Sequence, residues 1–176
     1  YNLLLKSGTV LPTKNITTER LSLFNDQAAR ADNKTFAIIQ FEEIPTSAER
    51  LQLSQSGIEL LDYIPNNAYT VTISGSLNID ILNRVKARSV TELSAQQKMQ
   101  PELAIGNFPG WSVKVAGTVD VWISFPTTFS FETVKGELQH KGFEIISTEY
   151  KEYRIVALRV SVVRLGELAL LPFIEY

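Results

Sequence analysis

From residue 36 onward the chain alternates short apolar runs with segments whose apolar residues recur at helical spacing. Phe36-Ala37-Ile38-Ile39-Gln40-Phe41 is nearly continuous in apolar character. That is the pattern of a central strand covered on one face and partly on the other. Pro45 with Thr46 or Ser47 supplies a helix start, because a hydroxyl can accept a bond from an orphan N–H of the first turn. Ala48 to Gln55 suits the helix, and Gly57 can provide the left-handed residue that ends it. Ile58 to Ile64 reads as a strand, Pro65-Asn66-Asn67 as a turn, and Ala68 to Ser74 as the returning strand, with Tyr69, Val71 and Ile73 on one side. Leu77 to Ala87 carries Ile81, Leu82 and Val85 at helical spacing, and Val90 to Leu93 closes the series as a short strand. The first 33 residues are weakly patterned. Leu3 to Leu5 suits a short strand, Gly8 and Pro12 mark turns, and Asn25 to Lys34 reads as a polar connector.

The same order then recurs. Asp120 to Phe125 is a strand, and Phe129 to His140 a helix with Phe131, Val134 and Leu138 in register. Gly142 ends that helix. Phe143 to Thr148 and Ile155 to Val162 are strands around a Lys151-Glu152 turn, Val163 to Leu170 is a short helix, and Phe173-Ile174 opens a final strand. Gly57 falls 16 residues after Phe41 and Gly142 falls 17 after Phe125; Tyr69 and Tyr153 follow those glycines by 12 and 11. The repeat rests on element order and spacing rather than identity. Strand, helix, strand, strand, helix, strand is the order of the split βαβ, or ferredoxin-like, unit. Its right-handed crossovers place both helices on one face of an antiparallel sheet. The expected fold is therefore α+β, with two tandem ferredoxin-like (βαββαβ) units. The expected organisation is an N-terminal extension over 1–33, a first unit over 34–98, a linker over 99–112 and a second unit over 113–176. The other face of each sheet is left open, and a bare face with aromatics tends to meet a partner.

Composition narrows the chemistry. The 176 residues carry 17 Lys and Arg against 19 Asp and Glu, evenly spread between the halves, which argues against a nucleic-acid binder. There is no cysteine, which excludes disulfides, zinc–cysteine sites and a thiol nucleophile. The single histidine, His140, excludes any site that needs two. No apolar run approaches the roughly 18 residues of a membrane span. Leu3-Leu4-Leu5 is too short a core for a signal peptide, so an exported chain has already lost its signal.

The usual constellations are missing. Gly106-Asn107-Phe108-Pro109-Gly110 has a proline where a phosphate loop needs N–H groups. No serine stands in a nucleophile elbow, and no acidic cluster has calcium-loop spacing. His140, at a helix end beside Lys141, suits the helix dipole better than catalysis. Glu42, Glu43 and Asp62 read as a solvated rim. Asn15-Ile16-Thr17 and Asn33-Lys34-Thr35 match glycosylation acceptors, a short pattern that chance produces. Trp111 and Trp122 could stack on a sugar or a base; Trp122, inside a strand, reads as core, and Trp111 sits in the linker. No catalytic residue, cofactor site or metal site is expected.

One stretch is more specific. Gly57-Ile58-Glu59-Leu60-Leu61-Asp62-Tyr63-Ile64-Pro65-Asn66-Asn67-Ala68-Tyr69, preceded by Phe36 to Phe41, resembles the N-terminal pro-region of bacterial subtilisin-like serine proteases. Leu3 to Thr9 resembles the start of such regions, and Leu171-Pro172-Phe173-Ile174-Glu175 their close. The resemblance implies a secreted or cell-surface, non-catalytic domain that helps a protease fold and then inhibits it. Its partner would be a subtilisin-like catalytic domain C-terminal to this chain, with no nucleic acid and no membrane span involved. In that family the open sheet face docks on the catalytic domain, and the C-terminal extension lies in the substrate cleft as an added strand. Phe173, Ile174, Glu175 and Tyr176 fall near that extension and are the expected protease contacts. Two other readings remain open. One is a protein- or glycan-binding adhesion module. The other is a tandem regulatory domain with a small ligand, disfavoured because Pro45 and Thr127 stand where a glycine-rich ligand loop would be.

Overall fold

The computed structural model describes residues 1–176, which form two compact units, Tyr1–Leu93 and Ser94–Tyr176. The fold is α+β with antiparallel sheets.

In the first unit, the central strand β3 (Lys34–Phe41) lies between β5 (Ala68–Ser74) and β6 (Ala87–Thr91), and β4 (Ile58–Ile64) pairs with the outer edge of β5. The spatial order β4-β5-β3-β6 is that of the split βαβ unit. Helix α2 (Ser47–Gln55) begins at Thr46, which accepts from the Glu49 N–H while the Glu49 carboxylate accepts from the Thr46 N–H. This capping box satisfies two donors that the first turn leaves orphaned. Helix α3 (Ile79–Arg84) is capped by the Asn78 side-chain oxygen, which accepts from the Asp80 N–H without a return bond. Residues 65–67 make the expected turn, with Asn66 and Asn67 both at positive φ.

Residues 1–33 belong to this unit and add structure that the sequence pattern does not announce. Helix α1 (Thr18–Gln27), capped by the Thr17 hydroxyl on the Arg20 N–H, occupies part of the stretch read as a connector. It puts only Leu21 and Phe24 into the core, one turn apart, too few positions to make a visible period. These two side chains join Leu53 of α2, and Ile81 and Leu82 of α3, against Ala37, Ile39, Phe41, Val71 and Ile73 of the sheet. The opposite face is also covered. A hairpin of β1 (Leu3–Leu5) and β2 (Gly8–Val10) drives Leu3, fully buried, onto Ile38, Ile64 and Ala68. Beside it, buried Gln40 donates from Nε2 to the carbonyls of Tyr1 and Asn66, both at 3.0 Å, and the Arg88 guanidinium sits over the Tyr1 ring.

Asn15 closes the β6 edge. Its amide donates to the Val90 carbonyl and its oxygen accepts from the Val90 N–H, both at 2.9 Å. Such pairing blunts an exposed strand edge. The first glycosylation pattern thus has an edge clamp at Asn15 and a helix cap at Thr17, while Asn33 lies exposed in a turn.

In the second unit, β9 (Ile155–Ser161) lies between β7 (Thr118–Ser124) and β8 (Glu144–Ser147), with helices α5 (Phe131–His140) and α6 (Leu165–Ala169). The expected fourth strand does not form. Leu171, Phe173 and Ile174 are drawn into the core, Phe173 edge-on to Phe129. Only Glu175 and Tyr176 reach β7, where the Glu175 N–H donates to the Ser124 carbonyl and the Ser124 N–H to that of Tyr176. The second unit therefore has a three-stranded sheet with a tail placed where the fourth strand would begin. Residues read as a linker over 99–112 hold helix α4 (Pro101–Ala104) and a single 3-10 turn at Gly110–Ser112, while the turn before them, Gln96–Lys98, packs on α6.

Two substitutions test this architecture. Gly57 has φ +82°, and a Cβ there would stand 2.6 Å from the Ser74 carbonyl oxygen. Gly57→Ala should therefore lower the urea unfolding free energy by about 1–3 kcal/mol. Leu3→Ala leaves a cavity under the hairpin and should cost about 2–4 kcal/mol in the same measurement. A loss near zero would mean that the hairpin does not close that face in solution.

Candidate docking surface

Strand β7 alternates between two environments. Val119 and Ile123 are buried, while Thr118, Asp120, Trp122 and Ser124 point to the other side. Antiparallel pairing with β9 sets Asp120 opposite Arg159 and Trp122 opposite Ala157. Across the next ladder, Glu144 of β8 stands opposite Arg159. The result is a sheet face with a charged row and an aromatic row.

The aromatic row is exposed. Trp122, expected in the core, is 64% accessible, because alternation from Val121 and Ile123 turns it outward. The methyl group of Ala157 is too small to cover it. Tyr150, in the loop after β8, leans on the indole with ring centroids 5.3 Å apart and planes at 42°. Ile146 and Tyr153 are exposed nearby in sequence on β8 and the β8–β9 connection.

The charged row is ordered. Arg159 donates from Nε to Asp120 Oδ1 at 2.8 Å and from Nη2 to Oδ2 at 2.9 Å, a two-pronged pair whose side chains are 23% and 20% accessible. The planar guanidinium matches both carboxylate oxygens, which fixes each side chain against the sheet. These hydrogen bonds hold the Asp120 carboxyl below its ordinary range, and Arg159 is raised by the same bonds.

The first unit shows what the equivalent position looks like when covered. Ile38 stands three residues before Phe41, as Trp122 stands three before Phe125. Ile38 is buried beneath Leu3 of the hairpin; Trp122 has no such cover.

Phe173 and Ile174 are core residues, so their side chains are not available to a partner; the run of apolar residues that suggested an extension instead fills the second unit. Glu175 and Tyr176 are half-buried and tied to Ser124. Glu42 pairs with Lys14 at 2.6 Å and Glu43 with Lys86 at 3.2 Å, as surface ion pairs. His140 is exposed at the last turn of α5. Trp111 is 73% accessible. Asp120, Tyr150 and Arg159 escape the sequence reading; the i, i+2 spacing of Asp120 and Trp122 was the signal that they share a face.

The sign of the acid response follows from Asp120. A carboxyl with a lowered value in the folded chain stabilises that chain above the ordinary carboxylate range, and the contribution disappears as pH falls through the lowered value. Asp120→Asn should therefore weaken the chain near neutral pH and flatten the fall in urea midpoint between pH 6 and pH 2. An unchanged acid slope would remove the pair from the stability of this face.

No helix is long and apolar enough to cross a membrane. No curated protein and no solved structure matches the chain. Residues 4–94, more than half of the sequence, match a domain family of unknown function, DUF8729. The matched span runs over β1 to β6, so it takes in the hairpin and α1 together with the four-stranded sheet they cover. On that match the chain belongs to the DUF8729 domain family.

Proposed function

We propose that this chain is a non-catalytic pro-region of a secreted subtilisin-like serine protease, assisting the fold of the catalytic domain and inhibiting it. The observation that carries the reading is the exposed Trp122–Tyr150 face of the second unit. A sheet face with a large apolar ring over a small residue, framed by an ordered ion pair, has the make-up of a docking centre with a polar surround. Strand order β4-β5-β3-β6 in the first unit, and the turn at Pro65-Asn66-Asn67, support the resemblance to such pro-regions. The first unit already covers its own face with the Leu3 hairpin, so the second unit is the one that meets the protease in this reading.

A second reading has an observation of its own. An exposed indole leaning on a tyrosine, beside carboxylate and guanidinium groups, also suits a neutral glycan, whose C–H faces stack on rings while its hydroxyls bond to the charges.

Both readings place Trp122 at the centre, and one set of assays separates them. The purified chain should slow peptide hydrolysis by a subtilisin-like protease of the source organism and speed that protease's refolding. Trp122→Ala should weaken the inhibition at least about tenfold, the effect of losing one central aromatic anchor, with circular dichroism unchanged. If neither protease rate responds to the chain, the pro-region reading fails. A Trp111→Phe background whose remaining Trp122 fluorescence responds to a neutral polysaccharide would then favour the glycan.

A further inference from the structure

The segment that leads into β7 is exposed and irregular. Residues 113–117, Val113-Lys114-Val115-Ala116-Gly117, are exposed one after another and form no helix or strand. Ile105 and Trp111, shortly before them, are 78% and 73% accessible. Backbone bonding here is purely local: the Ser112 N–H donates to the Pro109 carbonyl, Val113 to Gly110 and Thr118 to Val115. The Gly117 carbonyl accepts from the Val162 N–H and marks where the sheet takes hold. An endoprotease binds its substrate as an extended strand, so it needs a run of backbone that can leave the fold without breaking a ladder. Residues 113–116 meet that condition.

Lys114 lies in the middle of the run; its charge is felt by Asp120, but it closes no ion pair within 4.0 Å, whereas Lys14, Arg20, Lys86 and Arg164 are held in such pairs. Lys6 and Lys151 are confined to tight turns.

We infer that the Lys114–Val115 bond is a proteolytic processing site for an endoprotease that accepts a basic residue before the cut. Water adds to the Lys114 carbonyl carbon and the C–N bond to Val115 breaks, leaving a carboxylate on Lys114 and an amine on Val115. The nicked chain stays together. Residues on the N-terminal side of the cut include Ala95, Lys98 and Met99, all buried, and the turn that holds them packs on α6 on the far side of the cut. This inference does not depend on the pro-region reading.

Limited trypsin digestion of the intact chain, followed by mass spectrometry, tests it. The first products should be residues 1–114 and 115–176. Lys114→Gln should remove that pair and slow loss of the full-length chain at least about tenfold. A first cut elsewhere, or equal digestion of Lys114→Gln, would overturn the site. After nicking, the two fragments should co-elute in size-exclusion chromatography without denaturant. Separate elution would overturn the claim that the turn at residues 96–98 holds them.

Discussion

Strand β3 is apolar on both faces, and a strand of that kind cannot leave either face to water. Ala37, Ile39 and Phe41 face the helices, while Phe36, Ile38 and Gln40 face the other way. Burying both sides removes apolar surface from water at roughly 25 cal/mol per Å². It obliges the chain to find a second cover, and the hairpin at Leu3–Val10 is that cover. The polar exception, Gln40, is tolerated because its amide group meets two carbonyls, one from the hairpin side at Tyr1 and one from the turn at Asn66. The β4–β5 turn, the N-terminus and the central strand are thereby tied at one place.

The second unit, with its three-stranded sheet, closes its core under a different constraint. Its first strand buries Val119 and Ile123 on one side, and on the other a single large apolar ring, Trp122, stands exposed among Thr118, Asp120 and Ser124, so the core closes without a second cover. Its closing segment spends Phe173 and Ile174 on the interior and keeps two residues for backbone pairing with Ser124. The two-pronged Arg159–Asp120 pair orders the charged row of the open face. In the proposed reading, a face ordered in this way would cost a partner little further ordering on contact.

Most elements were legible along the chain because they depend on local rules. The capped start of α2 at Thr46, the hairpin around Pro65-Asn66-Asn67 and the limits of β4 and β5 follow from hydroxyl capping, preset φ and apolar runs. Helix α1 was not legible, since Leu21 and Phe24 alone are too few to declare a period and its order comes from docking on the sheet. The last strand was misread for the opposite reason. Phe173-Ile174 has a strand's composition, but the core beside Phe129 had room for it, and burial outweighed pairing. The candidate surface was half legible: Trp122 stood out as an aromatic, yet its residue type pointed inward.

What the amino-acid sequence determined by itself is the order of elements, their caps and turns, and the absence of thiol chemistry. Each of these is a property of a few neighbouring residues. Tertiary structure alone decided which sheet face is covered, which aromatic is exposed, and that Asp120 and Arg159, 39 positions apart, form one charged pair. Those outcomes depend on strand register across the sheet, and register is settled only when the whole layer packs.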